Sequence, residues 1–383
     1  MTTDTTGAAG SPAEELHAKH ARLLTVLDET GADAVVLSSA GALAWLLAGA
    51  RVHISLAGPP ILRAVAHRDG VEVGVFSNEA ERIRTEELTG LLDSSAVKLG
   101  VHELDWYDDV DDVGSWLPQS AGWKLTDESA AALPLRTARA SLLEVEIERY
   151  RALCTDAATA LTDVLSEVTP ETTERELVAG LAPRIIAAGA DPVVMLANGE
   201  SRAAHRHPLP TDAPLGRRAM AVVCARRQGL IANVTRWVGF GDPLPGEEEL
   251  DTAIGLVEAD AFAALVPGRR LETVLETLKE SYPNRGFTTD EWTKHHQGGA
   301  AGYQGRDPRV SPGVPDLIHP NQSFAWNPTG YSEELGVAAK VEDTVVLREG
   351  SEPGSRWIDV LSVDERWPTV EVAGRRRPAV LRR

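Results

Sequence analysis

Apolar residues recur at spacings of three and four through Leu143, Ile147, Tyr150, Cys154, Ala158, Leu161 and Leu165. That period predicts one long helix burying a single stripe. Cys154 sits on the stripe and reads as core rather than as a reactive thiol. Similar spacing predicts a helix over 16–27 and another carrying Leu177, Leu181 and Ile185 inward as far as Gly189. Thr173 with Glu176 three residues on forms a capping box in front of that second helix. Two more helices follow Gly246, one with Leu250, Ile254, Val257 and Leu265 inward, the other with Leu271, Leu275 and Leu278. Short apolar or alternating runs at 34–37, 71–76, 219–224, 344–347 and 357–363 predict strands.

These elements sort into two globular regions. Residues 15–134 alternate helix and strand signals, as an α/β layer structure does. Residues 135–383 read as a larger α+β domain. Asp105, Asp108, Asp109, Asp111 and Asp112 crowd together ahead of Pro118 and Pro134, and such a segment suits a domain junction. Residues 1–14, rich in Thr, Ala and Gly, read as a flexible tail. The arginines at 375–377 and 382–383 read as solvated.

Composition narrows the function classes. With 43% hydrophobic and 25% charged residues over 383 positions, the chain has ample core and wholesale disorder is excluded. A net charge of -19 repels phosphate backbones and anionic membranes, so neither nucleic acid nor a membrane is expected as a partner. The two cysteines, Cys154 and Cys224, build neither a disulfide framework nor a Cys-rich zinc site. No apolar run approaches the ~18 residues of a membrane span. The N-terminus has neither the basic start nor the apolar stretch of a signal peptide. A soluble cytoplasmic protein is expected.

The short catalytic signatures of nucleotide, zinc-protease and serine-hydrolase sites are missing. Four polar, glycine-punctuated segments stand out instead. They are 198–208 with His207, 229–236 with Asn233, Thr235 and Arg236, 295–302 with His295, His296, Gly298 and Gly299, and the pair formed by Trp326-Asn327-Pro328 and Lys340-Val341-Glu342-Asp343-Thr344. In this order and at these separations they resemble the aminopeptidase P, prolidase, methionine aminopeptidase and creatinase superfamily, peptidase family M24. Ala44 to Gly49 resembles a segment of that family's smaller N-terminal domain. Residues 135–147 resemble the start of its catalytic domain, and Gly336 to Leu347 its Gly-Val-Arg-Ile-Glu-Asp-Thr strand with two extra residues. The resemblance implies a pita-bread C-terminal domain (135–383) behind a creatinase-like α/β N-terminal domain (15–134).

The departures carry the functional reading. Metal-dependent members hold two divalent ions with two Asp, one His and two Glu, because such cations need carboxylate oxygens and an imidazole around an open position. By the resemblance, Val222 and Asn233 stand where the two Asp belong, Gly299 for the His and Asn327 for the first Glu. Only Glu342 is kept. No metal and no other cofactor is therefore expected, and His295 and His296, a few residues ahead of the motif, are expected to point elsewhere. His207 matches the family's substrate-binding His, which metal-free creatinase uses as its acid/base group. A histidine near neutrality suits proton transfer without metal help.

The expected catalytic pair is His207 with Glu342, and Asn233, Asn327, Lys340, His296, Trp326 and Arg51 are expected to bind substrate. Asp343 should face away from Glu342 by strand alternation. Lys340, one of six lysines among 38 basic residues, should share the face of Glu342, either pairing with it or binding a substrate carboxylate. Gly298 and Gly299 should widen the cavity. The expected ligand is a small molecule or short peptide, and the family likeness implies a homodimer in which Arg51 could reach the partner's pocket. A metal-independent hydrolase or lyase for a small amide, amidine or amino-acid-derived substrate is the leading reading. A non-catalytic binder and an Xaa-Pro aminopeptidase are the alternatives.

Overall fold

Ser11 accepts a hydrogen bond from the Glu14 amide while the Glu14 carboxylate caps Ser11 in return, so a helix starts at Pro12 and runs over Pro12–Thr30. It closes on Gly31 at φ 59°, a left-handed cap that glycine adopts without a Cβ penalty. The computed structural model describes residues 10–352 and 354–383. The helix therefore begins inside the segment expected to be a tail, and residues 1–9 of that segment lie outside the described residues.

The chain divides into two compact units. The first extends through Arg139 and includes 143–146 and 228–230; the second comprises 140–142, 147–227 and 231–383. In the first unit, strands β1 (Ala34–Leu37), β2 (Leu62–His67), β3 (Gly70–Phe76), β4 (Lys98–Leu104) and β5 (Leu125–Asp127) form one sheet in the order β4-β3-β2-β1-β5. The Trp116 ring lies so close to Gly74 that a Cβ there would come within 2.6 Å of it. The Asp105 to Asp112 cluster is a loop after β4 inside this unit, where Asp111 accepts from Arg63 Nε at 2.5 Å. It is not a junction. Composition alone could not reveal the buried arginine that this loop caps.

The second unit holds two four-stranded sheets. One is ordered β17-β8-β7-β6, from β6 (Asp191–Asn198), β7 (Arg218–Arg227), β8 (Leu230–Gly239) and β17 (Leu381–Arg382). The other is ordered β14-β13-β10-β9, from β9 (Gly298–Ala300), β10 (Ser323–Trp326), β13 (Asp343–Glu349) and β14 (Arg356–Val360). Hairpins β11 (Thr329–Ser332) with β12 (Val337–Lys340), and β15 (Thr369–Val372) with β16 (Arg375–Pro378), complete it.

Helices Glu247–Ala264 and Glu272–Asn284 supply Ile254, Val257, Phe262, Leu275, Leu278 and Tyr282 to a core shared with Phe324, Trp326, Val345 and Leu347. Each such side chain stabilises the fold by about 1.5–3 kcal/mol when fully buried. Trp326 is 0% exposed and lies 5.9 Å from Phe324, ring centroid to centroid. It is a core residue beneath the helices and does not form a pocket wall. Alternation along β10 puts Phe324 and Trp326 on the helix side and Ala325 on the other. Trp326 lies opposite Asp343 and Ala325 opposite Thr344.

Among the described residues no helix is long and apolar enough to cross a membrane.

Candidate functional site

The two sheets of the second unit meet at one bridge, Thr235 opposite Glu342, where the Thr235 amide donates to the Glu342 carbonyl at 3.0 Å. Two residues back along β8, the Thr344 hydroxyl accepts from the Asn233 amide (2.8 Å) and donates to the Asn233 carbonyl (3.1 Å). Asn233 and Thr235 share one face of β8, so this stitch aims both side chains at Glu342.

Glu342 is 3% exposed. Its Oε1 accepts from Arg306 Nη2 at 2.8 Å, its Oε2 accepts from Thr235 Oγ1 at 2.8 Å, and Lys340 Nζ lies 3.7 Å from Oε2. Burial alone would raise this carboxyl's pKa. The charges of Lys340 and Arg306 outweigh burial and hold it down at about 2. Arg306 also donates from Nη1 to Asn233 Oδ1 at 2.9 Å, and Cys224 Sγ reaches the same oxygen at 3.3 Å. The side-chain Nδ2 of Asn233 donates to the Ile231 carbonyl at 2.9 Å.

Three imidazoles flank this network. His207 Nε2 and His295 Nε2 are 3.0 Å apart, so one must carry the shared proton. The His295 and His296 rings stack at 4.4 Å, and His207 and His296 at 5.5 Å. Burial and then Lys340 push His295 far below the usual histidine range. Burial, then Arg306 and Arg309, lower His296 to about 3. Burial and then Lys340 lower His207, the exposed member of the three. All three are neutral at pH 7.

His295 and His296 thus converge on His207 instead of pointing elsewhere. The glycines that follow them lie in tightly closed backbone. Gly298 and Gly299 adopt φ 107° and 147°, and a Cβ would lie 2.2 Å from the Ala325 carbonyl oxygen at the first and 2.3 Å from that of Pro308 at the second. They let the chain close tightly on its neighbours, so the pair shuts space rather than widening a cavity.

The other expected residues fall in several places. Asn327 is buried, donates its amide to the Gln297 carbonyl at 3.2 Å, and has a buried Oδ1 without a partner among the described residues. Lys340 is buried beside Glu342. Asp343 faces the helix side and accepts from Arg236, Arg377 and Ser362. Arg51 belongs to the first unit, where its guanidinium pairs with Glu87 at 2.6 Å and Glu86 at 3.2 Å. Arg306 escaped sequence reading, since nothing marks it among the chain's arginines. The Gly302 and Gly305 that precede it were the available signal.

These residues do not fit a dinuclear metal centre at the family's ligand positions. Asn233, Val222, Gly299 and Asn327 offer no carboxylate, and both Glu342 oxygens are engaged. A dication about 4 Å from the Lys340 ammonium would be repelled by roughly 8 kcal/mol at an effective dielectric of ~20. The ligand nitrogens of His207, His295 and His296 lie within 4.8 Å of one another, a donor set that suits a transition metal. The cations that lower their pKa values also oppose a dication there.

Residues 148–349, more than half of the chain, match the model of metallopeptidase family M24. The chain belongs to metallopeptidase family M24. Its fold is that family's pita-bread fold behind a smaller N-terminal domain. It is similar to the prolidase from Pyrococcus horikoshii at 17% identity and a TM-score of 0.69, over 91% of this chain and 98% of that one. The dipeptidase PepE from Mycobacterium ulcerans matches at 16% identity and a TM-score of 0.70, over 98% of both chains. The N-terminal domain of the FACT complex subunit SPT16 from chickpea matches at 13% identity and a TM-score of 0.68, over 92% of this chain and 97% of that one. At such identities the likeness carries the fold alone. No curated relative matches the M24 chain by sequence.

Proposed function

We propose that this M24 chain is a hydrolase or lyase for a small amide, amidine or amino-acid-derived molecule, working without a dinuclear metal centre, with His207 as its acid/base group. The observation that carries this reading is the neutral His207–His295 pair at 3.0 Å beside a lone ionised carboxylate. A neutral imidazole accepts a proton at pH 7, and His207 is the member a substrate reaches. In hydrolysis, water adds to the acyl or amidine carbon and its proton passes to His207. The C–N bond then breaks, and His207 returns the proton to the leaving nitrogen. Glu342 stays ionised throughout and orients N–H donors of the substrate. The test is turnover of small amides, ureido and guanidino compounds by the purified chain. His207→Ala should abolish it while chelators leave it intact.

An Xaa-Pro peptidase is the second reading, supported by the family match and the prolidase likeness. Loss of activity on dipeptides with chelator, and its return with manganese, would establish that reading and sink the first. Stabilisation by extended peptides without turnover of any substrate would favour a non-catalytic binder. A homodimer belongs to the first reading, with Arg51 serving the partner's pocket; a monomer by sedimentation would remove that role.

A further inference from the structure

We infer that Arg306 is the resident cation of this site: it occupies the space between Asn233 and Glu342 in place of a divalent ion, and its free Nε–H receives an oxygen of the bound molecule. The first half stands on geometry alone, and the second rests on the amide-type substrate proposed above. A guanidinium presents two parallel N–H bonds in a fixed fork. Here Nη1 takes Asn233 Oδ1 and Nη2 takes Glu342 Oε1, so one side chain ties β8 to the turn before β13. The loop carrying it is anchored by the Asp307 amide to the Ala300 carbonyl at 2.8 Å. Lys340 and Thr235 already hold the other Glu342 oxygen, so an incoming dication would meet a cation at each oxygen of the carboxylate, whereas a neutral N–H donor would not be repelled.

Arginine also keeps its proton at any working pH, so the positive charge is permanent and needs no supply of metal. The side chain is 9% exposed, and its Nε is buried without a partner among the described residues. A buried donor left unmade is costly. A carbonyl oxygen of a bound amide would satisfy it and gain from the same charge.

The test uses the full chain. Cobalt(II) titration of the wild type should give substoichiometric binding, whereas Arg306→Gly combined with Asn233→Asp and Lys340→Met, which removes both opposing cations, should take up one ion per chain, at least about tenfold more tightly. Arg306→Gly alone should lower the thermal midpoint, and millimolar guanidinium chloride, but not sodium chloride, should restore it. If that variant does not fold, Arg306→Lys provides the comparison: it should fold, lack the Arg306 Nε–H signal in 1H–15N spectra, and so assign that signal in the wild type. Acetamide should shift the assigned signal.

Stoichiometric cobalt binding by the wild type that persists in His296→Gln, and so does not use the three imidazoles, or a glycine variant as stable as the wild type, would overturn the resident cation. An Nε–H signal that ignores acetamide would overturn the oxygen contact. Failure to find any substrate, with the cobalt and guanidinium results as expected, would count against the proposed activity and leave Arg306 in its place.

Discussion

Glu342 and Asp343 are neighbours on one strand and look into opposite worlds. Asp343 faces the helices and sits in a balanced network, two carboxylates (its own and Glu258) against two guanidiniums, Arg236 and Arg377. Glu342 faces the histidines with two cations, Arg306 and Lys340, against its single charge. The first arrangement matches its charges pair by pair, although Arg377 Nη1 is a buried donor without a partner among the described residues. The second leaves surplus positive charge, and buried polar atoms of Arg306, His295 and His296 without partners among the described residues. Surplus charge is what a ligand would complete, which is why the proposed function is assigned to the Glu342 side.

The comparison breaks most sharply at its balanced half. Asp343→Ala strands the buried Arg236 guanidinium and leaves Arg377 with Glu258 alone, and should cost about 3–5 kcal/mol in urea unfolding; a change below 1 kcal/mol would mean that the network is loosely held. Glu342→Gln keeps the shape but leaves Arg306 and Lys340 facing each other uncompensated. It should cost about 2 kcal/mol and abolish turnover, and loss of turnover with full stability would show that Glu342 acts only on the ligand.

A third expectation concerns pH. His207, His295 and His296 have folded pKa values below the unfolded 6.5, so the unfolded chain binds more protons as pH falls through that value. Stability should be full above pH 6.5 and decline below it, by up to ~1.4 kcal/mol per pH unit for each histidine. For His296 the decline levels off near pH 3. His296→Gln should flatten part of the slope, and an unchanged slope would place the acid sensitivity elsewhere. The smallest effect belongs to Arg51, 62% exposed along its side chain and paired with Glu86 and Glu87. Arg51→Ala should change stability by less than about 1 kcal/mol, and weakened ligand binding in that variant would assign it to a pocket after all.

Much of this was legible in the sequence. The Thr173–Glu176 capping box and the periods of the long helices appear as expected, because local patterns set local structure. The opposed faces of Glu342 and Asp343 follow from strand alternation. Arg306 was not legible as a site residue: Gly302 and Gly305 mark a turn before it, but its partners lie 73 and 36 residues away, and a turn does not say what it holds. The inward turn of His295 and His296 onto His207 joins two separate segments, which a motif does not encode. Trp326 faces the helices because of its pairing register with Asp343, a property of the assembled sheet.

The Thr344 hydroxyl, holding both the amide and the carbonyl of Asn233, has a bearing on motion. A strand pinned at both polar groups of one residue cannot slide or peel there without losing two bonds at once. The seam between the sheets is therefore held against local opening at this residue. The Asn233 amide proton should be among the last in the second unit to exchange with heavy water, and rapid exchange there would show that the pinning is loose.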